Sequence, residues 1–158
     1  MATPATLGHP SLPASLTPLV GCEDEIAAVA TLIQREGARL VTLTGAGGVG
    51  KTRLALAVAG EIAAAFPDGA AFVGLAPVAE PTLVTSAIAQ ALSVREVASE
   101  SLANRIVTFL RDKRFLLLLD NFEHLLLAAP GVTTLLVACP RLTVLATSRE
   151  RLRLSGEH

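Results

Sequence analysis

The chain has 158 residues, 51% of them hydrophobic and 17% charged, and a formal net charge of −1. That is one domain's worth of sequence with enough apolar content for a substantial core. The near-neutral charge and the absence of Trp and Tyr argue against a direct nucleic-acid or acidic-membrane surface in this segment.

Residues 1–18 carry Pro4, Pro10, Pro13 and Pro18 among Ala, Ser and Thr, the composition of a flexible leader ahead of a domain over 19–158. The leader has neither a basic start nor a continuous apolar stretch, so it does not read as a secretory signal. From Glu23 the stripe Ile26, Val29, Ala30 and Ile33 predicts an amphipathic helix, with acidic residues in its first turn and Gly37 as its stop. Arg39 to Thr44 reads as a strand and Lys51 to Phe66 as a helix. A second, short buried strand is expected over Ala70 to Leu75. Pro81 can start a helix running through Leu83, Ile88 and Leu92, and another begins at Ser101 with Leu102, Ile106, Phe109 and Leu110 on one face. Phe115 to Leu119 is continuously apolar, as a parallel strand covered on both faces should be. Glu123 to Cys139 is helical in composition but split by Pro130-Gly131. Leu142 to Thr147 is a fourth strand, and Arg149 begins another segment running to His158. Alternating strands and helices predict an α/β fold with a mostly parallel sheet. The apolar run from Phe115 to Leu127 is interrupted by Asp120, Asn121, Glu123 and His124 and is short for a bilayer, so no membrane partner is expected. Cys22 and Cys139 have no pairing or metal-ligand spacing and read as free thiols. A cytoplasmic location follows.

Between the first strand and its helix lies Gly45-Ala46-Gly47-Gly48-Val49-Gly50-Lys51-Thr52, which fits the phosphate-loop pattern G-x-x-x-x-G-K-[ST] in the strand–loop–helix context it requires. The glycines let successive N–H groups converge on one anion, and the following helix aims its positive end at the same point. Lys51 would reach the β- and γ-phosphates, and the Thr52 hydroxyl would hold Mg²⁺. The strand of leucines ends in Asp120, where a P-loop protein needs a carboxylate beside that metal ion. Asn121 stands where many hydrolysing relatives of such loops carry a carboxylate, and an amide is a poor proton acceptor. Glu123 is the candidate catalytic base, or else simply the start of the next helix; His124 reads as a surface or packing residue. Thr147-Ser148-Arg149 ends the fourth strand, facing the ligand side of an open α/β sheet, and Arg149 can read a γ-phosphate bidentately. Arg151 and Arg153 read as solvated.

These signals, with the segment Leu19-Val20-Gly21-Cys22-Glu23 ahead of them, resemble the STAND class of P-loop NTPases, the NB-ARC-like module of large bacterial regulators of the LuxR and antibiotic-regulator types. The resemblance implies that Val20 and Gly21 line the adenine side, that Lys51 and Thr52 hold phosphates and Mg²⁺, that Asp120 serves the metal, and that Arg149 senses the γ-phosphate. It also implies the sheet order two, three, four, one, with the P-loop strand at an edge where a fifth strand is missing. Such an edge invites self-association. The family's usual Arg after Val-Gly is Cys22 here, and its lid, winged helix and sensor domains lie outside these residues. The expected function is an ATP/ADP switch with slow Mg²⁺-dependent hydrolysis. A turnover ATPase or small-molecule kinase, and a truncated module without function, are the alternatives.

Overall fold

Five large apolar residues in succession can all be buried only if both faces of their strand are covered, and Phe115 to Leu119 are completely buried. Alternate side chains serve opposite layers. Phe115, Leu117 and Leu119 join one core cluster, while Leu116 and Leu118 join a second on the other face. The structure, a computed structural model, describes Leu12, residues 21–45 and residues 50–158. The leader expected over residues 1–18 therefore lies outside the described residues, except for Leu12.

Helix α1 (Glu23–Gln34) precedes strand β1 (Leu40–Thr44), helix α2 (Lys51–Ile62) and strand β2 (Ala70–Gly74). Helices α3 (Val84–Ala91) and α4 (Leu102–Leu110) follow, then strand β3 (Phe115–Asp120), helix α5 (Ala129–Ala138) and strand β4 (Leu142–Ser148). The four strands pair in parallel in the order β1-β4-β3-β2. This is the order the family resemblance implied. Helices α1 and α2 bury Val29, Ile33, Val58 and Ile62 on one face of the sheet, and α3, α4 and α5 cover the other.

Local chemistry explains the differences from the sequence reading. Pro81 opens a 3₁₀ turn, Pro81–Leu83, and α-helical bonding starts only at Val84. Pro130 does not split a helix: it sits in the first turn of α5, where its missing N–H costs nothing, so the helix starts late instead of breaking. Residues 123–125 are consequently not helical, and Phe122 and Leu125 are buried from a tight turn. Ser101 caps α4 as the sequence suggests, accepting from the Asn104 amide at 3.2 Å. Arg39 ties the start of β1 to the end of α5: its guanidinium donates to the carbonyls of Leu142 (3.1 Å), Leu136 (2.6 Å) and Cys139. Cys139 itself is buried, and loss of hydration pushes its thiol above the ordinary range despite nearby Arg111 and Arg39.

The sheet has four strands, and its β1 edge is not bare. Glu157 bridges Leu40 in parallel, His158 N–H donates to the Leu40 carbonyl (3.0 Å), and Thr42 N–H donates to the His158 carbonyl (2.9 Å). The first half of the edge is thus already occupied, which narrows the stretch available for pairing with another chain. Among the described residues, no helix is long and apolar enough to cross a membrane. Because Leu118 is wholly buried between β-sheet neighbours and α2, Leu118→Ala should cost about 2–5 kcal/mol of stability by loss of burial and creation of a cavity. Urea unfolding of the variant would measure it; a loss below about 1 kcal/mol would mean the layer repacks freely.

Candidate functional site

Parallel strands deliver their carboxyl ends to one rim of the sheet, and here that rim gathers the end of β1, the start of α2 and the ends of β3 and β4. The register places Leu43 beside Thr147 and Thr44 beside Ser148, with Leu119 beside Ala146. Asp120 therefore emerges next to Thr147.

The Asp120 carboxylate is where these elements meet. Its Oδ1 accepts from the Thr52 hydroxyl at 2.7 Å and from the Thr147 hydroxyl at 2.7 Å. Thr147 is almost fully buried, and its Oγ1 also accepts from the Asn121 amide at 2.8 Å. Asn121 holds a left-handed backbone (φ 71°), which Asn tolerates better than most residues. The next amide, that of Phe122, donates to the Thr147 carbonyl at 2.9 Å. The turn after β3 is thus pinned to β4 by successive main-chain donors. In the orientation that satisfies both groups, the Asn121 side-chain amide donates to Glu123 Oε1 at 2.6 Å. Arg149 Nε approaches the same Glu123 oxygen at 3.9 Å.

Of the predicted residues, Thr52, Asp120, Glu123 and Arg149 are brought together. Gly50 takes the left-handed conformation (φ 78°) at the start of α2, the conformation for which glycine is suited. Lys51 Nζ donates to the Gly45 carbonyl at 2.7 Å, closing the loop across its own ends. Gly21 lies in the turn before α1 with a left-handed backbone (φ 87°). Val20, Ala46, Gly47, Gly48 and Val49 lie outside the described residues. His124 is exposed, and its Nε2 pairs with the Val78 carbonyl at 2.7 Å, in keeping with a surface role.

The donor set suits a hard cation. A hydroxyl and a carboxylate oxygen 2.7 Å apart are the oxygen ligands that Mg²⁺ takes from protein. Among the described residues no group of three or more His, Cys, Asp and Glu could hold a metal alone. Mg²⁺ fits such a sparse site because it draws its remaining ligands from phosphates and water.

Three residues outside the predicted site set belong to the same rim. Thr147 organises Asp120, a role invisible until β4 is known to lie beside β3. Arg151 and Arg153 line a hollow of about 600 Å³ together with Thr44, Arg149 and Glu150. Residues 151–154, after Arg149, are in no regular secondary structure. The i, i+2, i+4 spacing of the three arginines was the available signal, since such a segment turns alternate side chains to one side.

A family model described as the NB-ARC domain matches residues 22–151. The chain belongs to the NB-ARC family. Regulatory protein AfsR of Streptomyces coelicolor is 35% identical over 98% of this chain, which covers 17% of that protein. A Mycobacterium tuberculosis protein named as an HTH-type transcriptional regulator is 47% identical over 75% of this chain, again covering only 13% of the relative. This NB-ARC chain thus spans a small fraction of the length of the regulators it matches. Among solved structures it resembles Cdc6p of Pyrobaculum aerophilum (TM-score 0.65, 16% identity, 88% of this chain and 42% of that one). It also resembles the Aeropyrum pernix ORC2 protein (TM-score 0.57, 17% identity, 84% and 42%). At such identities these likenesses speak for the fold alone.

Thr147→Val keeps the shape but deletes both hydrogen bonds of the hydroxyl, so it should cost about 1–3 kcal/mol and speed exchange of the Asn121 amide, while Thr147→Ser should restore most of both. Urea unfolding and amide exchange measure the pair. A valine variant as stable and as protected as the parent would remove Thr147 from the network.

Proposed function

We propose that this NB-ARC chain is the nucleotide-binding module of a regulator, holding ATP or ADP with Mg²⁺ and hydrolysing the triphosphate slowly. The observation that carries this reading is the 2.7 Å contact between the Thr52 hydroxyl and the Asp120 carboxylate, directly after a phosphate-loop sequence. Gly45 to Thr52 would cradle the phosphates, and Lys51 would exchange its bond to the Gly45 carbonyl for phosphate oxygens. Thr52 and Asp120 would hold Mg²⁺, which supplies neutralisation of charge on the β- and γ-phosphates when bound. Arg149 is exposed at the rim and can pair with the γ-phosphate, leaving Glu123 as it does so. Val20 and Gly21 are assigned the adenine side, as the family resemblance implies.

Slow turnover follows from the company Glu123 keeps. A general base must be free to take a proton from water, and this carboxylate is engaged by the Asn121 amide and faces Arg149. Asn121 next to Asp120 cannot substitute, since an amide does not accept a proton at neutral pH. Loss of the γ-phosphate would then be the infrequent event that changes the state of domains attached to this one. The relatives named as regulators support a place in transcriptional control, with nucleic acid contacted by domains other than this.

Titration with a fluorescent ATP or ADP analogue tests the reading. The parent chain should bind with Mg²⁺-dependent affinity, Lys51→Ala should weaken binding at least about tenfold, and Asp120→Asn should remove most of the Mg²⁺ dependence. Unchanged affinity in Lys51→Ala would contradict the site. Steady-state hydrolysis should stay below about one turnover per second, and many turnovers per second would favour a turnover ATPase over a switch.

A further inference from the structure

From Arg151 to Leu154 side chains alternate outward and inward. Leu152 is buried at 6% exposure and Leu154 packs on the same core, while Arg149, Arg151 and Arg153 project outward. All three line the 600 Å³ hollow whose remaining walls are Thr44 and Glu150. Thr44 is the last residue of β1, immediately before the phosphate loop begins at Gly45. The hollow therefore opens beside the triphosphate end of the nucleotide site. Among the described residues its lining contains no apolar or aromatic side chain, so it does not suit a base.

Arg153 is held in a way that ordinary surface arginines are not. Its backbone is left-handed (φ 60°), a conformation that a non-glycine residue keeps only when its surroundings impose it. The imposing group is Glu157. Its side chain is 1% exposed, and its two oxygens accept from the amides on either side of Arg153, that of Leu152 at 3.1 Å and that of Leu154 at 3.3 Å. The same carboxylate faces Arg151 Nε at 3.6 Å. Through its backbone, Glu157 is bridged to Leu40 on the strand that leads into the phosphate loop. A buried carboxylate thus clamps a strained arginine to the P-loop strand.

The charges of the other two arginines are partly answered, Arg149 by Glu123 and Arg151 by Glu157. Arg153 makes no ion pair or side-chain hydrogen bond with the described residues. Glu150 is the single carboxylate among the lining residues, so the hollow retains an excess of guanidinium charge. A planar guanidinium in that setting matches a phosphate group, which it can engage bidentately. We propose that Arg153, together with Arg149, receives the terminal phosphate of a bound nucleoside triphosphate, and that Glu157 is the positioning residue that holds it there. This rests on the nucleotide-binding reading above. It makes the distinction between ATP and ADP depend on a residue pair, set by a clamp that reaches from the loop after β4 to the edge of β1.

The test compares the affinity of the full chain for a non-hydrolysable ATP analogue and for ADP, both with Mg²⁺, by competition against a fluorescent nucleotide. Arg153→Gln should lower triphosphate affinity about tenfold and leave ADP affinity within about twofold, and Arg153→Lys should recover only part of the loss. Glu157→Gln should shift the ratio in the same direction. Because Glu157→Gln can also loosen the fold, Arg153→Gly serves as the second variant: it relieves the left-handed backbone, so it should melt no lower than the parent yet lose the same discrimination. Arg141→Gln, an equal charge change at the opposite rim of the sheet, should alter neither affinity. An unchanged triphosphate-to-diphosphate ratio in Arg153→Gln overturns the proposal, as does an equal loss in Arg141→Gln, which would mean bulk charge alone. A parent chain that binds neither nucleotide would refute the underlying reading, an outcome separate from a parent that binds both and a variant that behaves like it.

Discussion

One carboxylate oxygen organises the ligand end of this molecule. Asp120 Oδ1 accepts at 2.7 Å from Thr52 at the head of α2 and at 2.7 Å from Thr147 at the end of β4. Three segments far apart in sequence are thereby fixed at one point, and hydrogen bonds to an ionised acceptor are the stronger kind. The contact is affordable because the sheet beneath it leaves no choice: β3 is buried on both faces, so the position of its last residue is set by core packing rather than by the loop. The same core pins β4, whose residues are buried throughout. Site geometry here is a consequence of sheet register, and a cation placed between Thr52 and Asp120 would replace an existing hydrogen bond instead of requiring a new arrangement.

The elements most legible from sequence were those whose pattern has a single physical solution. The unbroken run Phe115 to Leu119 admits only a doubly covered strand, and it forms one. The phosphate-loop pattern located Lys51 and Thr52, and the apolar strand ending in Asp located its partner. The reading failed where one residue has two uses. Pro130 can break a helix or begin one, and only the packing of Ala129 and Val132 against the core decides for the second. Arg151 and Arg153 read as solvated charges, but burial of Leu152 and the bonds from Glu157 set them along the hollow at the rim.

The sequence puts Thr147 on the ligand side of the sheet but does not reveal its bond to Asp120. That bond exists because β4 inserts between β1 and β3, which puts the two strand ends side by side. Likewise, the two residues Glu157 and His158 carry no strand signal of their own, yet they lie along β1 because its outer edge offers unpaired N–H and C=O groups. Such long-range pairings are properties of topology, and the family resemblance supplied the sheet order that the residue pattern by itself did not.

The carboxyl-end rim built around Asp120 is the proposed seat of a magnesium nucleotide. Backbone amide NMR of the labelled chain, recorded as MgADP is added, addresses this most directly. The amides of Gly50, Lys51, Thr52, Asp120, Asn121 and Ser148 should shift together in one saturable process, with those of Arg39, Arg114 and Arg141 at the far end of the sheet unmoved. Shifts concentrated at that far end, or a spectrum indifferent to millimolar MgADP, would contradict it.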